Sequence, residues 1–214
     1  MHVVKLGGSL LDKPRALREW LAVIARAGRG RLVLVPGGGP FADAVRTAQA
    51  GLGFDDGAAH RMALLAMDQC GLLLASLESV CIPCASTSAI RKVLVSGGVP
   101  VWMPSRPIAC AEGVPESWDV TSDSLAAWLA RELGASTLWL VKACAVAVQD
   151  WDRLAVMGVV DPAFPRFCAD ARFRVRVVGP GDTFWLTEAL IEEPSFRRPP
   201  MPLEIEPATG DEGD

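Results

Sequence analysis

The stretch V-V-K-L-G-G-S-L-L, residues 3–11, decides the fold. Val3 and Val4 lead through Lys5 and Leu6 into two glycines, the pattern of a short buried strand, a glycine turn and a helix start. Gly7 and Gly8 have no Cβ, so the backbone there can come close to a ligand. Ser9 and the turn after it expose backbone N–H groups, and glycine nests and helix N-termini bind phosphate. Lys5 places a compact positive charge beside that cradle. No Walker loop, G-x-x-x-x-G-K followed by Ser or Thr, occurs in the chain. A second unit of the same kind follows. R-L-V-L-V, residues 31–35, runs into Pro36, Gly37, Gly38, Gly39 and Pro40, and then into a helical pattern from Phe41. Two strand–glycine–helix units one βαβ repeat apart predict an open parallel sheet whose loops gather at the carboxyl ends of the strands. The expected site cradles several phosphates.

The 214 residues suffice for one sizeable domain. Half are hydrophobic and the net charge is −4, so a full core can form and nothing resembles a basic nucleic-acid footprint. The most apolar window, Met62 to Leu77, carries Asp68 and Gln69 at its centre and is short for a membrane span. Lys5 and its glycines interrupt any signal-peptide pattern. The expectation is a cytoplasmic protein that neither enters a membrane nor binds nucleic acid. Six cysteines sit mostly in apolar contexts and read as small core residues. Cys81 and Cys84 have CxxC spacing, but with no second pair and no nearby histidine they make a poor zinc site, and no metal ligands are assigned.

Lysine is scarce: of 21 basic residues only Lys5, Lys13, Lys92 and Lys142 are lysine. Lys5 and Lys142 each follow an apolar strand run, where an ammonium suits a phosphate oxygen or a snorkelling strand end. Helices are expected at 14–27, 41–50, 58–79, 124–133, 151–157 and 183–191, with a shorter one over 86–96 that runs into a strand V-L-V. Strands are expected at 2–6, 80–85, 99–103 and 137–142, with 173–178 at an edge because arginines alternate along it. Residues 106–116 read as a Pro/Gly-rich rim. The 58–79 helix is apolar almost all round, so it is buried between elements or between subunits. Its polar exceptions are His60, Asp68 and Gln69. Its first half is expected to line a pocket, with Asp68 facing a cationic substrate. Thr121 or Ser122 reads as the N-cap of the next helix, with Asp123 in its first turn. Residues 1–191 form the expected single domain, and 192–214 a Pro/acid-rich tail.

The loops V-K-L-G-G-S at 4–9, V-P-G-G-G-P at 35–40 and T-S-D-S-L-A at 121–126, with the strand at 138–142, resemble the amino acid kinase family. The resemblance implies an α/β fold, a three-layer αβα sandwich with a mainly parallel central sheet. His60 to Ala63, Ala66 to Gln69 and Gly158 to Asp161 look most like its aminomethylfuran-methyl phosphate kinase-like branch, of methanofuran and methylofuran biosynthesis. That implies transfer of the ATP γ-phosphoryl group, with Mg2+, to a small-molecule phosphate acceptor, giving a diphosphate. By the same resemblance Lys5 and Asp123 are catalytic, Gly7, Gly8 and Ser9 hold nucleotide phosphates, and Gly37, Gly38 and Gly39 face the acceptor. Ser122 is expected on the nucleotide side as well, and His60 and Asp68 on the acceptor side. A homodimer or higher homo-oligomer is also implied. Two departures stand out. T-D-x-x-G after the central strand is replaced by K-A-C-A-V-A-V, and the later G-G-M-x-x-K segment with a second lysine is missing. Lys142 is the residue that can stand in for that lysine. The competing reading is a non-catalytic binding or assembly subunit on the same fold. A nicotinamide dehydrogenase is also spelled, by G-x-G-x-x-A at Gly37 to Ala42 with Asp55 and Asp56 beyond, but no strand precedes those acids.

Overall fold

The computed structural model describes residues 1–145 and 150–191, and the backbone of 204–205. Strands β1 (His2–Leu6), β2 (Leu32–Pro36), β3 (Cys81–Cys84), β4 (Val99–Trp102), β5 (Thr137–Val141) and β6 (Arg174–Val178) form one sheet in the order β3-β4-β2-β1-β5-β6. All six run parallel. The two-residue β7 (Glu204–Ile205) pairs antiparallel with β6. The arginine-bearing strand, expected at an edge, is therefore not the outermost one; its Val175, Val177 and Val178 are buried. The tail beyond residue 191 otherwise lies outside the described residues, as do 146–149.

The central strands are continuous in apolar residues because helices cover both faces. Helices α1 (Pro14–Ala27) and α9 (Thr183–Leu190) pack on one face, placing Leu17, Trp20, Leu21 and Ile24 against Val4, Leu34 and Trp139. On the other lie α4 (Thr87–Val95), α6 (Ser122–Leu133), the short α7 (Trp151–Val156) and α8 (Phe164–Cys168). V-L-V at 93–95 is the end of α4 and not a strand. The helix α2 (Gly39–Leu52) packs on α3 (Asp56–Leu77). The near-uniform apolarity of α3 has a direct cause: it gives Leu74 to one core and Leu64 and Met67 to the other. The expected rim contains one more short helix, α5 (Ser105–Ala109). Among the described residues no helix is long and apolar enough to cross a membrane.

Cys81 and Cys84, three residues apart in one strand, point to opposite faces and enter different cores, so they cannot share a metal. Burial pushes both thiols up, Cys81 to about 11. Asp55, one acid of the dehydrogenase reading, caps α3 by accepting from Ala58 N at 2.8 Å.

The two glycine loops touch each other. A Cβ on Gly8 would lie 2.3 Å from Gly39 N, and one on Gly37 would lie 2.3 Å from Gly8 N. Gly39 also has φ +52°. These glycines are thus required by loop-on-loop contact, whereas the sequence reading credited Gly8 with close approach to a ligand. Gly8→Ala is expected to destabilise the fold by roughly 1–3 kcal/mol or more through overpacking against immobile backbone. Gly51→Ala is the opposing control: nothing lies within 4 Å of its added Cβ, and a helical Gly→Ala gains roughly 0.5–1 kcal/mol. Urea unfolding of the two variants checks both signs.

Candidate active site

Strand order reverses at β1, which β2 and β5 flank, and this is where an open α/β sheet places its ligand crevice. Lys5 pairs in register with Leu140. Lys142 lies two residues beyond Leu140, and with the strand period of two it projects from the same face as Lys5. Above that face sits the first turn of α6, carrying Asp123. The Lys5 Nζ lies 2.9 Å from Asp123 Oδ1, and Lys142 Nζ donates to Oδ2 at 2.6 Å. The three side chains are buried, at 5%, 4% and 9% exposure for Lys5, Asp123 and Lys142.

Burial raises the cost of the Asp123 carboxylate, but the Lys142 and Lys5 ammoniums outweigh it and hold the pKa down at about 2. Lys142 moves the other way from an ordinary salt-bridged lysine. Burial pushes it down to about 8, the Asp123 carboxylate opposes this, and the Lys5 ammonium adds to it. Two ammoniums share one carboxylate, so the cluster has one positive charge in excess.

Asp161 completes the arrangement, and the sequence reading did not assign it a role. Its buried carboxylate accepts from Thr121 N and Oγ1, both at 2.9 Å, from Ser124 N at 3.0 Å, and from Ser124 Oγ. It thereby caps α6 from 37–40 residues away and fixes the turn that carries Asp123. Burial, then the nearby Asp123 charge, push its carboxyl up, while the Ser124 and Thr121 hydrogen bonds oppose them. Thr121 is the N-cap residue but makes no side-chain cap of its own.

This cluster opens into a cleft of about 530 Å³, lined also by Gly7, Gly8, Ser9, Cys144 and the 157–162 loop. A second chamber of about 150 Å³ adjoins it, lined by Gly38, Gly39, His60, Met67, Ser122 and Leu125. Gly8, Ser9, Arg46, Trp118 and Thr121 line both. The structure thus brings together Lys5, Asp123, Lys142, Gly7, Gly8, Ser9 and Ser122 around adjoining spaces, with Gly38, Gly39 and His60 in the inner one. Gly37 stands behind them, its N–H donating to Leu6 O at 2.9 Å. His60 is 4% exposed, and its Nδ1 faces Ser117 O at 3.3 Å, so that nitrogen carries the proton. Its Nε2 is buried without a partner among the described residues. Burial lowers the His60 pKa despite the Ser117 carbonyl. Asp68 lines neither chamber. It accepts from Ser105 N at 3.3 Å and from Ser105 Oγ, capping α5. The acid expected to face a cationic substrate is thus engaged by Ser105 in this structure.

Among the described residues no group of three or more His, Cys, Asp or Glu side chains could hold a metal ion. The acids lining the large cleft, Asp123 and Asp161, are both engaged by protein donors. The cleft fits a polyphosphate, through Lys5, Lys142 and the N-terminus of α6, better than it fits a bare cation.

Residues 1–145 match the amino acid kinase family. The chain is 28% identical over 133 residues to a protein of Methanocaldococcus jannaschii named 5-(aminomethyl)furan-3-ylmethyl phosphate kinase; the match covers 62% of this chain and 61% of that protein. Among solved structures, uridylate kinase from Archaeoglobus fulgidus superimposes with a TM-score of 0.66 at 16% identity, over 90% of this chain and 97% of that one. UMP kinase from Ureaplasma parvum gives 0.61 at 18% identity, over 83% and 89%. These structural likenesses speak for the fold, and the match over 1–145 speaks for descent. The chain belongs to the amino acid kinase family.

Proposed function

We propose that the protein transfers the γ-phosphoryl group of ATP to a small phosphomonoester, giving a diphosphate and ADP. The observation that carries this reading is the Lys5–Asp123–Lys142 cluster, set at the ends of adjacent strands and facing a cleft that joins a second chamber. Phosphoryl transfer needs in-line positioning and charge neutralisation more than covalent help. An acceptor phosphate oxygen attacks the γ-phosphorus, the bond to the β–γ bridging oxygen breaks, and ADP leaves. The attacking oxygen is already ionised, so no general base is required. Lys5 and Lys142 neutralise charge on the transferring group, and Asp123 holds both ammoniums at fixed spacing. Magnesium bound with ATP would supply further charge neutralisation. The named relative supports the aminomethylfuran-methyl phosphomonoester as acceptor. Lys142 takes the place of the lysine that other family members carry further along the chain.

Acceptor-dependent ADP release, with magnesium and this phosphomonoester, tests the reading. Absence of release in the presence of demonstrated nucleotide binding would overturn it in favour of a binding subunit. Lys142→Met is expected to lower kcat by about 10²–10³, the scale of losing one preorganised electrostatic contact, with the fold retained because Asp123 keeps Lys5. Asp123→Asn leaves two buried ammoniums facing no carboxylate and is expected to cost roughly 3–5 kcal/mol of stability as well as turnover; thermal melts and steady-state rates separate the two variants.

The lowered Lys142 pKa fixes the sign of a pH effect. The ammonium is charged below about pH 8 and neutral above it. The kcat/KM for ATP is expected to fall as pH rises through about 8, since that parameter reports the free enzyme. In Lys142→Arg the guanidinium stays charged, and this alkaline limb is expected to vanish from whatever activity remains. A limb unchanged by the substitution would remove Lys142 as its source.

Helix α3 leaves Met62, Leu65, Leu72 and Leu77 exposed at 41–55%. We infer that this stripe is covered by a second copy of the chain, consistent with a homo-oligomer. Leu65→Glu is expected to shift the protein toward monomer in sedimentation velocity; an unchanged distribution would sink the assignment.

A further inference from the structure

Arg46 stands where the two chambers meet, and the reading so far gives it no role. It lines both chambers, and among the described residues lining either one the cations are Lys5, Lys142 and Arg46. The two lysines are committed to Asp123. Arg46 is half exposed and held by two neighbours. Its guanidinium carbon lies 4.3 Å above the centre of the Trp118 ring. Its Nη1 donates to Asp43 Oδ1 at 3.0 Å. Trp118 is itself anchored, Nε1 donating to Gln49 Oε1 at 2.6 Å. Gln49 in turn donates to Phe54 O at 3.1 Å and Asp56 Oδ1 at 2.8 Å. The tryptophan ring therefore serves as a fixed platform, and the guanidinium is held over it with one hydrogen bond, to Asp43, among the described residues.

We propose that Arg46 is the acceptor-phosphate subsite, the group that makes the enzyme prefer a phosphomonoester over the corresponding alcohol. Trp118 and Asp43 act as its positioning residues. The inference rests on the kinase reading for the identity of the acceptor. Joining two phosphates brings two anions to one point. The lysine cluster answers the charge of the transferring group. A second cation is then needed toward the acceptor phosphate, where the chambers meet, and Arg46 lines both of them. A planar fork binds two phosphate oxygens at once, which fixes the angle of attack as well as the charge. An ammonium in the same place would supply charge without orientation. A structural role alone, the guanidinium covering Trp118, predicts no dependence on the ligand.

The test uses the full-length chain and compares wild type with Arg46→Ala and Arg46→Lys. The probes are the aminomethylfuran-methyl phosphomonoester, its unphosphorylated alcohol, and ATP with magnesium, followed by calorimetry and by steady-state rates. Arg46→Ala is expected to weaken the ester by roughly 10- to 100-fold, the scale of lost charge-assisted hydrogen bonds. Binding of the alcohol and of ATP should change by less than binding of the ester. Added guanidinium ion should restore part of the ester's kcat/KM, and Arg46→Lys should recover affinity more than kcat. Trp118→Leu should raise the KM for the ester by more than the KM for ATP. Equal binding of ester by wild type and Arg46→Ala overturns the proposal, as does a wild type that binds ester no more tightly than alcohol. A wild type that binds ester through Arg46 but never releases ADP supports this subsite and overturns the kinase reading.

Discussion

The site depends on one electrostatic constraint: two buried ammoniums share a single buried carboxylate. Lys5 and Lys142 can be held that close only because Asp123 stands between them, at 2.9 and 2.6 Å. Removing charges from water is expensive, and an ion cluster of this kind survives only where every member is paired and its geometry fixed. Each part of the fold around the cluster does one share of that fixing. Parallel register between β1 and β5 brings the lysines to one face. Helix α6 brings the carboxylate down onto them. Asp161 keeps the first turn of α6 from fraying by taking its Thr121 and Ser124 donors.

The charges also balance. Two lysines, Asp123 and Asp161 sum to zero, so the buried set can form without a bound anion to neutralise it. The spare ammonium charge left after Asp123 is satisfied points to the cleft, while the Asp161 carboxylate is turned into α6 and consumed by four hydrogen bonds. A phosphate arriving in the cleft therefore meets ammoniums and helix N–H groups and no competing free carboxylate among the described residues.

Much of this was legible in the sequence. The apolar runs at 3–6 and 137–141 marked two strands and put Lys5 near the end of one and Lys142 just past the end of the other. The glycine clusters at 7–8 and 37–39 marked the loops. Helix α1 was bounded by Pro14 and the Gly28 that follows it, as local chemistry dictates. Nonlocal contacts were not legible. Asp161 reaches α6 from a distant loop, and no local pattern announces a cap supplied in that way. Asp68 looked like a lone acid on an apolar helix because its partner, Ser105, lies 37 residues on. Arg46 was hidden because its partner Trp118 comes from a loop with no periodicity to read. The 173–178 strand was placed at an edge because its alternating arginines mimic edge protection; two residues from the distal chain cover it instead.

The glycine loops show why a correct motif can carry an incomplete reason. A glycine pair after a strand reads as room for a ligand, and its first use is room for another glycine loop. Gly8 and Gly37 approach so closely that neither tolerates a methyl group. The consequence is mechanical. The loop that follows β1 faces the lysine cleft, and the loop that follows β2 faces the inner chamber, yet the two are seated backbone on backbone. On the proposed mechanism the donor and acceptor phosphates are held by loops that cannot move independently. Their separation is then set by the packing of the fold and not by loop closure, which is how a scaffold converts packing density into in-line geometry.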